Sequence, residues 1–181
     1  SKVIMAMTLI TTNTSSGASA SSFTSSIDST YKLYIFKFID INPATDSAYF
    51  QFQANAVDAS GYNETMTTTS FRANHDEADS GTALGYRTGT DQAQGTAFQS
   101  LSDTIGNGAD ESLAGVLFLF NPSSTTYVKH FYSVTNEYLE NDKSHQQFNA
   151  GYFNITAAID DIQFKMSSGN FDGTIKMYGV G

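Results

Sequence analysis

The stretch "IQFKMSSGNFDGTIKMYGV" (residues 162–180) poses the question of the fold in miniature. Two short apolar runs, residues 162–166 and 174–180, flank the connector Ser-Ser-Gly-Asn-Phe-Asp-Gly. In the first run Ile162, Phe164 and Met166 alternate with Gln163 and Lys165, and in the second Ile175 and Met177 point the same way. A period of two marks a strand with one face in a core. Taken alone, the stretch reads as a β-hairpin whose final strand is zipped into a sheet and ties down the C-terminus.

The same pattern recurs upstream. In "YKLYIFKFIDINP" (residues 31–43) Tyr34, Phe36 and Phe38 share one face, and Leu33, Ile35, Lys37 and Ile39 share the other. Apolar groups on both faces predict a strand covered on both sides, by a second sheet and by something else; Asn42-Pro43 ends it, because proline cannot donate to a ladder. "AYFQFQANAV" places Phe50, Phe52 and Ala54 inward with Gln51 and Gln53 outward, and "TMTTTSF" is a third strand with a polar face. "SLAGVLFLFNP" repeats the apolar run closed by Asn-Pro. "TTYVKHFYSVT" alternates Val128, His130, Tyr132 and Val134 against Tyr127, Lys129, Phe131 and Ser133, and "HQQFNAGYFN" supplies another short strand. Residues 11–26, "TTNTSSGASASSFTSS", read either as a flexible linker or as a strand of small residues, so residues 1–26 are an N-terminal arm or an edge strand. Residues 74–110 are polar and dotted with glycine, around isolated Leu84, Tyr86, Phe98, Leu101 and Ile105. They predict short strands between long loops and a variable surface. No helical spacing of any length survives the glycines. The fold class expected is all-β: one antiparallel β-sandwich domain over residues 1–181, with little helix.

Composition narrows the function classes. The chain has 181 residues, of which 15% are charged, against about 25% in an average globular chain. Nine Lys and Arg face 18 Asp and Glu, a net charge of -9 that repels phosphate backbones and anionic membrane surfaces. Neither nucleic acid nor membrane is expected as a partner. Cysteine is absent, which excludes disulfides and thiolate metal sites. No apolar run reaches the roughly 18 residues that span a bilayer, and "SKVIMAMTLI" lacks the apolar centre of a signal peptide.

Several phrases together carry a family likeness: "SIDSTYKLYIFKFIDINP", "GVLFLFNPSSTTYVKHFYSVT", "AGYFN" and "IDDIQFKMSSGNFDGTIKMYGV". From about Thr8 to Val180 the chain resembles virion structural proteins of tailed phages, especially marine and cyanobacterial phages. The resemblance implies a jelly-roll or concanavalin A-like β-sandwich located in the virion, as capsid decoration or a tail or fibre component. It also implies homo-oligomers and contacts with other virion proteins.

The search for chemistry returns little. Glycan-cleaving sandwiches carry alternating acids on one strand that set two carboxylates on one face. Here the nearest pair, Glu137 and Glu140, is three residues apart and falls on opposite faces of a strand. "NHDEAD" offers His75, Asp76, Glu77 and Asp79 as donors without His-x-x-x-His or His-x-His spacing, and reads as a solvated loop. His130 reads as a hydrogen-bonded sheet histidine. "DTIGNGADE" gathers Asp103, Asn107, Asp110 and Glu111 around two glycines but misses the calcium-loop spacing. No Gly-x-Ser-x-Gly elbow and no phosphate loop occurs. The expectation is therefore no catalytic residue, no metal and no cofactor. Tyr62 and Tyr86, in polar text, are the candidate ligand or interface contacts. They favour protein docking; the alternative is a receptor- or carbohydrate-binding module that uses the 74–110 loops, with a host surface glycan as partner.

Overall fold

The computed structural model describes residues 6–181, and none of these is helical. The reading of the first ten residues as a failed signal peptide therefore lies partly outside the described residues. Twelve strands run in chain order: β1 Met7–Ala18, β2 Ser21–Phe23, β3 Leu33–Pro43, β4 Phe50–Ala56, β5 Met66–Asp76, β6 Thr82–Tyr86, β7 Gln99–Ser100, β8 Leu113–Phe120, β9 Lys129–Leu139, β10 Lys143–Phe153, β11 Ile159–Met166 and β12 Phe171–Val180. They form a large sheet of eight strands, ordered β1-β12-β3-β8-β9-β10-β5-β6, and a small sheet of four, ordered β2-β11-β4-β7. The ladders are antiparallel throughout, so the expected antiparallel β-sandwich is the architecture observed.

One expectation fails at the stretch that opened the sequence reading. Residues 162–180 are not a hairpin. β11 belongs to the small sheet and pairs with β2 and β4, whereas β12 belongs to the large sheet and pairs with β1 and β3. The connector carries the chain from one sheet to the other, so Phe164 and Ile175 meet the core from opposite layers. Alternation fixes which side of a strand is apolar and leaves its neighbour open, and burying both apolar faces against each other is the better solution here.

The apolar half of the core lies between the small sheet and β12, β3 and β8. Phe164 is fully buried at its centre, with ring centroids 5.4 Å from Phe36, 5.3 Å from Phe38 and 5.8 Å from Phe50. Phe23 and Phe52 complete the ring set at 6.2 Å each. In β3 the strict alternation seen in the sequence shifts after Phe38. Asp40 takes a left-handed φ of 52° and a bulge opposite β8 turns Ile41 and Pro43 inward.

Four small-sheet strands cannot cover eight. The uncovered inner face of β9, β10 and β5 is closed instead by the segment between β6 and β8, which was expected to be variable surface. Gln99, Leu101, Ser102 and Ile105 are all fully buried there, and Ile105 bridges to Ala48 and Leu139. Gln53, expected to face outward, is buried as well, because its side-chain amide donates to the carbonyls of Glu64, Thr96 and Ala97 in the loops folded over it. Lys129 is likewise buried on the inner face of β9. Its ammonium donates to the carbonyls of Tyr127 at 2.8 Å and of Ile155 and Thr156 at 3.2 Å, which offsets the loss of water around the charge. Interior hydrogen bonding of this kind is what a chain poor in charge and rich in amides and hydroxyls can supply.

Candidate functional site

The outer face of the large sheet carries the side chains that alternate away from the core. On β8 these are Val116, Phe118 and Phe120; on β9, His130, Tyr132 and Val134; on β10, Phe148 and Tyr152. Ladder register aligns them into rows across the strands. One row runs Lys176, Lys37, Val116, Val134, Phe148 and Phe71 and ends at Tyr86 on the edge strand. A second runs Tyr178, Ile35, Phe118, Tyr132.

The rings in these rows stack. Phe71 and Phe148 lie 4.6 Å apart at 7°, and Phe118 and Tyr132 lie 4.6 Å apart at 25°. Lys37 places its ammonium 5.3 Å from the Tyr178 ring. Such cross-strand pairs stabilise the sheet by roughly 0.2–1 kcal/mol each, yet one ring of each stacked pair stays open to water. Phe71 is 45% exposed, Tyr132 41% and Leu84, on β6, 78%. Between Tyr132, Phe120 and Tyr152 the small side chain of Ala150 floors a shallow recess of about 340 Å³. His130, expected as a hydrogen-bonded sheet histidine, stands exposed on this recess with its ring 5.9 Å from Tyr152.

Behind this face, under β9 and β10, sits an ionic cluster. Glu137 and His145 point inward from neighbouring strands, with His145 Nδ1 hydrogen-bonded to Glu137 Oε1 at 2.6 Å. The same carboxylate oxygen accepts the backbone N–H of Asp103 at 2.9 Å. The Asp103 side chain in turn receives Arg87 Nη2 at 2.6 Å and Arg72 Nη1 at 3.3 Å, and its Oδ2 lies 3.7 Å from His145 Nε2. Burial pushes the Glu137 carboxyl above its ordinary value, against the pull of His145. Glu137 Oε2 and His145 Nε2 are buried without a hydrogen bond. Arg72 and Asp103 reach a surface hollow of about 320 Å³ beside the β9–β10 turn, but His145 and Glu137 are sealed. No hydroxyl or thiol stands next to His145 as an activated nucleophile among these contacts. The arrangement acts as a charge lock that fastens the covering segment at Asp103 to β9, β10 and β5.

Sequence reading did not find this cluster. The signal was present in phase only: Lys129, Phe131, Ser133, Thr135, Glu137 and Leu139 all share one face of β9, mixing charge with core residues. Glu137 and Glu140 do fall apart as expected, Glu137 inward and Glu140 exposed, where it accepts the Thr104 hydroxyl.

The two candidate contacts are not brought together. Tyr86 ends β6 on the outer face of the large sheet, 54% exposed, with its hydroxyl donating to Asp91 at 2.8 Å. Tyr62 sits in the β4–β5 connection at a left-handed φ of 48°, its N–H donated to Asn55 and its ring 6.4 Å from Phe98. Phe98 carries Lys165 of β11 over its ring, so Tyr62 belongs to the small-sheet side. The acidic loop after β5 satisfies itself locally: Asp76 accepts the N–H and hydroxyl of Ser80, and His75 lies 3.1 Å from Asp79. Among the described residues no three His, Asp or Glu side chains converge as a metal site.

No family model, curated protein or solved structure matches the chain.

Proposed function

We propose that the chain is a non-enzymatic structural module that works by protein–protein assembly through the outer face of its large sheet. The observation that supports this is the set of stacked, half-exposed aromatic rows described above. Contiguous apolar surface left open to water beyond what a typical monomer shows marks interaction sites. Aromatic side chains are also the residues most enriched where interfaces hold tightly. Apolar residues on the second face of residues 33–39 require a cover there. On that face Ile35 is buried but Ile39 is 38% exposed among the described residues. A docked protein supplies that cover.

The resemblance to tailed-phage proteins extends the proposal. The module is a virion component, decorating the capsid or built into the tail or a fibre. Binding of the purified protein to purified virions, with a defined oligomer in multi-angle light scattering, is the expected result. A clean monomer at micromolar concentration that also leaves virions unbound would count decisively against assembly.

A glycan-binding role is the second reading. It is favoured by the Tyr86–Asp91 pair, an open ring beside a carboxylate acceptor at the edge of the same face. That reading expects signal on an array of host surface polysaccharides and its loss in Tyr86→Ala; an array blank across those polysaccharides removes it.

A further inference from the structure

We infer that the outer face of the large sheet docks onto the same face of a second copy of the chain, in a two-fold dimer whose axis runs along the strands above the β8–β9 boundary. The inference rests on the assembly reading above and names the partner that reading leaves open.

Size is the first argument. Eight strands at a spacing of about 4.8 Å, most of them at least eight residues long at about 3.3 Å per residue, span a face of about 1,000 Å². A stable interface buries about 800 Å² on each partner, so one copy of this face matches what another copy needs.

The placement of charge is the second argument, and it selects the axis. The two lysines of the row, Lys37 and Lys176, both lie on the β3 and β12 side, while the stacked pair Phe71 and Phe148 and the Tyr86–Asp91 pair lie on the β10, β5 and β6 side. A two-fold running across the strands along this row sets β3 on the partner's β3 and brings each Lys37 towards its own copy. A two-fold along the strands reverses the order of strands while keeping each row opposite itself. Strand order then puts β3 over β10, β12 over β5 and β8 over β9. Lys37 of one copy comes over Phe148 of the other, Lys176 over Phe71, and Val116 over Val134. The axis repeats each contact, so four cation–π contacts and two central aliphatic contacts replace the like-charge approach. Aligned stacking of two sheets at about 10 Å is an ordinary way for such faces to meet.

The test uses the full chain in sedimentation equilibrium with three variants on the face and one off it. The unmodified protein is expected to dimerise, and Tyr132→Glu to be a monomer. Phe148→Lys, which brings a second cation over Lys37, is expected to weaken dimerisation on the order of a hundredfold, whereas Phe148→Glu, which brings an anion there, stays within about tenfold of the unmodified protein. Gln163→Glu, on the outer face of the small sheet, is expected to leave the dimer unchanged. Circular dichroism on each variant separates lost association from lost fold, since both face positions lie outside the core. Equal effects of Phe148→Lys and Phe148→Glu overturn the proposed axis. A monomer at tens of micromolar that still binds virions through Tyr132 overturns the second copy as partner and leaves the assembly reading standing. A dimer indifferent to Tyr132→Glu and to both Phe148 variants overturns both.

Discussion

Phe164→Ala is expected to cost the domain about 3–5 kcal/mol of its stability, the range found when a large aromatic is removed from a packed core. For a chain of this size that corresponds to a fall in Tm of roughly 6–20 °C. Phe164 is the ring on which the two layers meet: it comes from the small sheet and lies against Phe36 and Phe38 of the large one, with Phe50 and Phe52 on its own layer. Its removal leaves a void bordered by rings on strands held in register by hydrogen bonds, so the site has little freedom to collapse. Phe164→Leu retains part of the volume and is expected to recover about half of the loss. Thermal melts followed by circular dichroism read both. A fall of less than about 3 °C for the alanine variant means that the sheets do not meet on this residue.

The second large effect is at Glu137. Its carboxylate is buried and bound to His145 and to the Asp103 N–H. Glu137→Ala strands both partners inside the protein and is expected to cost about 3–5 kcal/mol, as removing one side of a buried ionisable pair generally does. Glu137→Gln keeps an oxygen acceptor for the same donors and separates shape from charge.

The pH dependence has a definite sign. Burial raises the carboxyl of Glu137 above its ordinary value of 4.5. Below about that pH the group is protonated in both folded and unfolded chains and contributes no difference. As the pH rises from there through the raised folded value, the unfolded chain loses its proton first, and the folded state loses stability over that window. Glutamine has no such proton, so the stability of Glu137→Gln relative to the unmodified protein is expected to improve as pH rises from 4 to 8. Urea titrations at several pH values measure this, and parallel curves for the two proteins would refute the assignment of Glu137 as the group responsible.

The cluster around Glu137 also shows why half the interior was hard to see in the sequence. Glu137, His145 and Asp103 stand 8 residues and more apart along the chain and meet only because β9 pairs with β10 and the covering segment folds back over both. Each looks like ordinary polar surface in its own segment. Gln53 misleads in the same way. It alternates correctly with Phe52, and only the carbonyls of Glu64, Thr96 and Ala97 make its side of the strand an inside. The candidate contacts fare differently. Tyr86 stands on the aromatic face, but the row it terminates was not visible, because Phe71, Phe148 and Val134 come from three strands aligned by ladder register.

Period-two alternation is a property of a few consecutive residues, and it was enough to determine by itself that this chain makes strands, which side of most of them is apolar, and that the product is an antiparallel sandwich. The pairing of those strands is not local. A run such as residues 162–166 or 174–180 presents the same alternating face whether its neighbour is six residues away or more than a hundred. Competition among all the apolar faces for burial chose between them, and it placed β11 and β12 in opposite sheets. Tertiary structure alone also decided that four strands must help cover eight, that charges from distant segments are locked beneath the covering segment, and that the aromatic rows on the far side of the large sheet are left facing water.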